Sequence, residues 1–342
     1  MIQTLKQLGF SAAKGAGAFS VAARSDWRRN RLLILCYHGV AIDDEAQWDP
    51  ALYVTPEKLR HRLETVRRLG GTILPLGESL ERLKNGTLPR CAVAITFDDG
   101  VYDFYSQAAP VLKAHGAPAT VYVTTYYSSL SRPVFPPMVS YLLWKGTGRT
   151  LDWPELLGEP VKLTPETAAS TRARFHETAA QRQMSWKVKD EVLVELAARL
   201  GIDYQVILDR RMLQIMTGDE VRAVAADGFD VQLHTHRHWM PRHAQRFIKE
   251  IEDNRTALNL DKKHQENLRH FCYPSGVYFT EAGKWLKQCG VVSATTCDPG
   301  LASPASDLYY LPRVCDAMHL SDLIFEGWVT GAADLMPRRR SA

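Results

Sequence analysis

Ala92-Val93-Ala94-Ile95-Thr96-Phe97-Asp98-Asp99-Gly100 begins as an apolar run and ends in two adjacent carboxylates before a glycine. The run reads as a short strand buried on both faces, the kind that parallel sheets use. Two acids at the end of such a strand are unfavourable for folding unless their charge is used. One carboxylate raises the pKa of its neighbour, and a metal relieves the conflict by taking one of them as a ligand. The pair therefore directs attention to histidines elsewhere in the chain.

On either side of this stretch, short apolar runs alternate with helical segments. Leu32-Leu33-Ile34-Leu35-Cys36 reads as a strand ending at Tyr37-His38-Gly39. A helix follows with Thr55 as N-cap, Pro56 at its first position and Glu57 in its first turn, and stops at Gly70-Gly71. Thr72-Ile73-Leu74 is the next strand, and a helix around Leu80 to Leu83 ends near Asn85-Gly86. Beyond the paired acids, residues 103 to 114 read as helix and Ala119-Thr120-Val121-Tyr122-Val123 as strand. The pattern resumes at Thr217-x-x-Glu220, a capping box, with a helix to Asp227-Gly228. Further strands are expected at Phe229 to Leu233, Arg269 to Cys272, Val291 to Thr295 and Tyr309 to Leu311. About eight strands in β-α alternation fit an α/β chain with a barrel related to (β/α)8 better than an open sheet.

Residues 125 to 215 break the rhythm with Pro133, Pro136, Pro137, Pro154 and Pro160, then a polar helical stretch opened by Thr164-Pro165-Glu166. A structureless loop of that length is implausible inside a domain, so the segment reads as a helical insertion. Leu5, Leu8, Ala12, Ala16 and Phe19 recur at roughly helical spacing. The chain thus divides into an N-terminal helical segment at 1–30, a barrel at 31–330 with the insertion at about 125–215, and a basic tail at 331–342.

The 342 residues carry a net charge of +4, part of it from Arg338-Arg339-Arg340, and no basic stripe suggests a nucleic-acid groove. No stretch has the length and apolarity of a transmembrane helix. Lys14 interrupts the Gly- and Ala-rich residues 9 to 23, and no leucine-rich core follows Lys6, which argues against a signal peptide. The expected location is cytoplasmic or at the inner-membrane surface, with peripheral membrane contact through the N-terminal helix as the alternative to simple packing. The six cysteines form no CxxC pair and several lie in apolar runs, as buried thiols in a reducing compartment do.

His234-Thr235-His236-Arg237-His238 stands at the end of the strand expected at 229–233. His234 and His238 share a face if the backbone turns helically, which suits one metal ion; an extended backbone would align His234, His236 and His238 instead. Trp239, Met240 and Pro241 follow closely and favour the turn. A lone histidine is usually a packing residue. Here the cluster and the Asp98-Asp99 pair share an address at strand ends, where barrels collect catalytic groups.

These residues resemble the polysaccharide deacetylases of carbohydrate esterase family 4. Thr96-Phe97-Asp98-Asp99-Gly100 matches the family's first motif, and His234-Thr235-x-x-His238 its second. Phe271-Cys272-Tyr273-Pro274-Ser275-Gly276 is similar to its third. The resemblance runs from about Leu32 to Arg313 and implies a distorted (β/α) barrel of the polysaccharide deacetylase type. It also implies that Asp99, His234 and His238 bind a divalent metal, most simply Zn2+, with Co2+, Ni2+ or Mn2+ open to the same donors. Asp98 would then be the general base that takes a proton from water on the metal, and a backbone N–H beside Tyr273, Pro274 and Ser275 would hold the oxyanion. The implied reaction releases acetate from an N-acetyl group on an amino sugar of a polysaccharide, oligosaccharide or glycan precursor.

Cys272 stands where the family often has an arginine that orients the catalytic aspartate. His319 is the histidine nearest the place of the family's general acid, although Ala317-Met318-His319-Leu320 matches that motif poorly. His38 faces the rim of the metal either as a packing or supporting residue or as a substrate contact. Arg313, in Leu311-Pro312-Arg313, pairs with an acid near the site or forms an ordinary salt bridge. Two other readings use the same fold: a catalytically silent carbohydrate-binding protein, and a deacylase acting on non-sugar amides or esters.

Overall fold

Eight strands form one sheet: Leu33–Tyr37 (β1), Thr72–Ile73 (β2), Ala92–Phe97 (β3), Thr120–Val123 (β4), Asp230–Leu233 (β5), His270–Cys272 (β6), Ser293–Thr295 (β7) and Val314–Cys315 (β8). The computed structural model that contains them describes residues 2–335. Every pairing in this sheet is parallel, in the order β7-β6-β5-β4-β3-β1-β8, with β2 on β3. All five residues of β1 and all six of β3 are buried, which is why these strands read as unbroken apolar runs. Along one edge of β3, Ala92 and Val93 pair with β2 while Thr96 and Phe97 pair with β4. β1 takes the other edge from Val93 to Phe97.

The two ends of the curled sheet are linked by the segment between Leu311 and Cys315. Leu311 makes a single parallel bridge to Thr295, and Val314 and Cys315 then pair with Leu35 and Cys36. The strand expected at Tyr309 to Leu311 is therefore displaced to Val314–Cys315. Pro312 has no N–H to continue a ladder, so the chain crosses from one neighbour to the other there. Parallel pairing brings the C-terminal ends of all these strands to one rim, which carries His38, Asp98, Thr124, His234, Tyr273 and Thr296.

Local signals set the helices. Thr55 accepts a hydrogen bond from the Lys58 N–H ahead of the helix Pro56–Arg68. Thr217 and Glu220 cap the helix Gly218–Ala226 reciprocally. The helix expected over 103–114 opens as a π-helical turn, Phe104–Ala108, and becomes α-helical at Ala109–Ala114. Pro110 cannot donate to the carbonyl four residues back, and the wider turn absorbs the missing bond.

The helices Ile2–Gly15, Ala18–Arg24 and Asp26–Arg29 precede β1. Phe10 and Phe19 are buried with their rings edge to face, and Phe10 lies against Gly327 of the helix Asp322–Thr330. Among the described residues no helix is long and apolar enough to cross a membrane. Residues 336–342 of the expected basic tail, including Arg338 to Arg340, lie outside the described residues.

Two compact units result: residues up to Tyr126 together with those from Met216 onward, and Tyr127–Ile215. The second unit contains the helices Phe135–Lys145, Pro154–Leu157, Pro165–Gln181, Trp186–Arg199 and Tyr204–Asp209, with an antiparallel pair of short strands, Thr150–Leu151 and Val161–Lys162. Met138, Leu142, Phe175, Leu193 and Leu196 form its interior. The chain leaves the first unit where the Tyr126 N–H donates to the His236 carbonyl at 2.7 Å. It returns where the Met216 N–H donates to the Gly100 carbonyl at 2.9 Å.

Candidate active site

Asp98 continues the line of β3, its N–H donating to the Tyr37 carbonyl at 2.9 Å. The backbone then turns through two left-handed residues, Asp99 at φ 68° and Gly100 at φ 72°. Gly100 is required twice over, because a Cβ there would lie 2.8 Å from Val123 Cγ1 in addition to the positive φ. This turn separates the two carboxylates. Asp98 is buried beneath the rim, whereas Asp99 is partly exposed on it.

Asp99 meets two histidines. Its Oδ1 lies 3.1 Å from His234 Nε2 and 3.1 Å from His238 Nε2. His234 Nδ1 faces the Cys272 carbonyl at 2.9 Å and donates to it, which leaves the Nε2 lone pair free to point at the rim. The His234 N–H donates to Asn254 Oδ1 at 2.9 Å, and Asn254 Nδ2 donates to the Val123 carbonyl and to Thr125 Oγ1. The two histidines converge without a helical turn: Thr235 and His238 adopt left-handed backbone, at φ 59° and φ 54°, and fold the loop back. His236 turns the other way, its Nδ1 2.8 Å from Thr125 Oγ1.

The ligand atoms of Asp99, His234 and His238 all lie within 4.8 Å of one another. Two imidazole nitrogens and a carboxylate oxygen, one imidazole oriented from behind by a carbonyl, fit a divalent metal ion. Burial lowers the His238 pKa, but the adjacent Asp99 carboxylate outweighs it and holds the ring above its ordinary value. Burial likewise pushes Asp99 up, and the His238 and His234 contacts more than reverse it, leaving the carboxyl well below the usual range.

Asp98 has a different partner. Arg313 Nη1 donates to Oδ1 and Nη2 to Oδ2, each at 2.7 Å. The arginine is fully buried, and its other donors go to the Thr296 carbonyl, Thr96 Oγ1 and Cys272 Sγ, so all five N–H groups are used. Cys272 Sγ also lies 3.3 Å from Asp98 Oδ2. Arg313 thus occupies with its guanidinium the place beside Asp98 that Cys272 leaves open. Burial opposes ionisation of Asp98, but the Arg313 charge and fork overcome it and hold the acid far below the usual carboxylate range.

A cavity of about 400 Å3 opens over these groups, lined by His38, Asp98, Asp99, His234, His238 and Ser275 together with Ala51, Leu52, Cys297 and Cys315. His38 Nε2 is 3.8 Å from Asp98 Oδ2. Ser275, at φ 55°, is the member of the third motif on the cavity wall. Tyr273 and Pro274 are buried behind it, with the Tyr273 hydroxyl donating to the Tyr309 carbonyl. His319 is exposed, lies outside the group lining the cavity, and has its N–H and its Nδ1 on the Pro50 carbonyl. Sequence reasoning did not reach Asn254, Thr125, Cys297 or Cys315, none of which belongs to a spaced motif.

The model of the family described as Polysaccharide deacetylase matches residues 85–186 and 194–294. A poly-beta-1,6-N-acetyl-D-glucosamine N-deacetylase of Escherichia coli (strain K12) is 25% identical over 327 residues, which are 94% of this chain and 42% of that protein. The chain therefore spans less than half the length of that curated relative. Among solved structures, Streptococcus pyogenes deacetylase PplD in complex with acetate superposes with a TM-score of 0.57 at 19% identity, over 90% of this chain and 99% of that one. IcaB from Ammonifex degensii gives a TM-score of 0.52 at 18% identity, over 89% and 96%. At these identities the two structures speak to the fold alone, a parallel curled sheet surrounded by helices.

Proposed function

This chain belongs to the polysaccharide deacetylase family, and on that premise we propose that it is a metal-dependent hydrolase removing N-acetyl groups from the amino sugars of a glycan. The observation that carries the reading is the division of labour between adjacent acids: Asp99 lies against two imidazole nitrogens and Asp98 against an arginine. A binding module has no need of a second ionised carboxylate held in place beside a ligand set. The N-acetylated glycan as substrate is favoured by the named specificity of the Escherichia coli relative.

Asp99, His234 and His238 would hold the ion, with Zn2+ the simplest choice and Co2+, Ni2+ and Mn2+ alternatives. When bound there, a divalent ion polarises the amide carbonyl and acidifies water. Asp98, kept ionised by Arg313, accepts the proton of the attacking water, and its fixed orientation removes the entropy of aiming that step. Ser275 and His38 line the same cavity; the Ser275 backbone would hold the oxyanion, and His38 would pass a proton to the leaving amine. The test is acetate release from N-acetylated nucleotide sugars, lipid-linked sugars and oligomers, with Zn2+, Co2+ or Mn2+ added. Metal-dependent release from at least one class is expected. Stoichiometric metal binding with no acetate from any of them would favour the binding-protein reading.

A further inference from the structure

Four of the six cysteines converge on the Asp98–Arg313 pair from four separate segments. Cys272 Sγ is 3.0 Å from Arg313 Nη2, Cys297 Sγ is 3.7 Å from the same nitrogen, and Cys36 Sγ is 3.5 Å from Asp98 Oδ2. Cys315 is the register partner of Cys36 across β1 and β8. Cys36 and Cys272 are fully buried, whereas Cys297 and Cys315 are half-buried and line the 400 Å3 cavity. All of them are free thiols. Deacetylation of an amide uses no sulfur, so the proposed reaction leaves this cluster without a task.

The thiols are not equivalent. The neighbouring Cys315 and Cys36 thiols, with the Arg313 cation 3.7 Å away, hold the Cys297 thiol well below the usual range against the effect of burial. The influence of Cys297 pushes the Cys315 thiol up to about 12. The arrangement places two free, half-buried thiols on the wall of one open cavity, one of them beside a buried cation, which is the setting that redox-active thiols require.

We propose that Cys297 and Cys315 form a thiol pair, open to the active-site cavity, that a peroxide oxidises to a disulfide and so arrests the reaction at Asp98. The arrest rests on the deacetylase reading above; the thiol chemistry does not. With hydrogen peroxide, the Cys297 thiolate attacks one oxygen, the S–O bond forms, the O–O bond breaks and hydroxide leaves. The sulfur of Cys315 then attacks the sulfenic acid at Cys297, the S–S bond forms, the S–O bond breaks, and the departing hydroxide takes the Cys315 proton as water. One thiolate, one thiol and one peroxide give one disulfide, one hydroxide and one water. The product removes a negative sulfur from the side of Arg313 and puts a rigid bridge in the wall beside Asp98, so the guanidinium loses one of the partners that fix its place.

The full chain, reduced and then exposed to graded hydrogen peroxide, is alkylated and mapped by mass spectrometry, and acetate release is measured on the same samples. Cys289 serves as an internal reference, since it is half-buried but lies outside the cavity. The expected result is a Cys297–Cys315 link appearing before Cys289 is oxidised, a loss of acetate release in proportion to the linked fraction, and recovery of both with dithiothreitol. Oxidation of Cys289 while Cys297 stays alkylatable, or a link from Cys297 to Cys36 in place of Cys315, overturns the pairing. A complete link with undiminished acetate release overturns the arrest. A chain that forms the link but never releases acetate overturns the function proposed above and leaves the thiol pair standing.

Discussion

Arg313 grips Asp98 through both carboxylate oxygens at 2.7 Å, and both residues are buried, Asp98 alone of the two reaching the cavity wall. The geometry is that of a fork on a carboxylate, which lysine cannot reproduce. Arg313→Lys is therefore expected to keep the metal and lower kcat by roughly 10- to 100-fold. Arg313→Met leaves Asp98 buried without a counter-charge and should cost about 3–5 kcal/mol of stability. Metal content, acetate release and urea unfolding on the two variants check this. An Arg313→Lys enzyme with unchanged kcat would remove the positioning role.

The adjacent acids should fail differently. Asp99→Ala and His234→Ala are expected to lose bound metal and deacetylation together. Asp98→Asn should retain stoichiometric metal and lose turnover. Elemental analysis paired with acetate release separates these outcomes, and full activity in a metal-stripped Asp98→Asn chain would sink the mechanism.

Asn254 is buried and ties its helix to two other segments through three hydrogen bonds, to the His234 N–H, the Val123 carbonyl and Thr125 Oγ1. Truncation to alanine strands those groups in the interior. Asn254→Ala should destabilise the fold by about 1–3 kcal/mol. It should also weaken metal binding, because His234 loses its backbone anchor. Thermal unfolding and metal titration measure the two effects, and an unchanged metal affinity would make the residue purely structural.

Proton and metal compete for the same nitrogens. Asp99 holds the metal-free His238 above the ordinary histidine pKa, so protonation of that ligand begins at a higher pH than for an isolated ring. A histidine with a raised pKa is protonated as pH falls through that raised value, and metal binding must then expel the proton. Metal affinity is expected to be full at pH 8 and to fall markedly at pH 6, in titrations of chelator-stripped protein. Equal affinity at both values would contradict the assigned ligand set.

Gly100→Ala tests the turn that parts the carboxylates. Its φ of 72° and the approach of Val123 Cγ1 both oppose a side chain. A loss of about 1–2 kcal/mol from the backbone alone is expected, with more from the contact. Activity should drop more steeply than stability, since the same turn aims Asp98 and Asp99 in different directions; melting temperature and kcat measured on one preparation compare the two.

The alternation of buried runs and capped helices made the barrel legible, because parallel strands must be apolar on both faces and helix caps must satisfy bare N–H groups. Thr55, Thr164 and Thr217 each accept the hydrogen bond their position demands. The strand at Val314–Cys315 was not legible. Two residues carry no periodicity, and the proline that moves the pairing looks from sequence like any turn residue. At the site, spacing paired His234 with His238 and the family resemblance added Asp99, but the histidines converge by another route than the helical turn expected: left-handed residues at Thr235 and His238 leave no compositional trace when they are not glycine. Leu311-Pro312-Arg313 pointed to an acid near the site without saying which, and the fold makes it Asp98; Cys297 lies far along the chain, and only the fold brings it beside Arg313.

The anchoring of residues 126 and 216 bears on how this chain can be rebuilt. The carbonyls that receive those two N–H groups belong to His236 and Gly100, one in each of the loops that carry the proposed metal ligands. Replacing Tyr127–Ile215 by a short linker, or by a foreign module, is thus an operation on the catalytic rim, whatever the replaced part itself contributes. A graft that keeps both hydrogen bonds has a chance of inheriting the chemistry. One that frees either carbonyl starts with a loosened rim, and its inactivity would say nothing about the insertion.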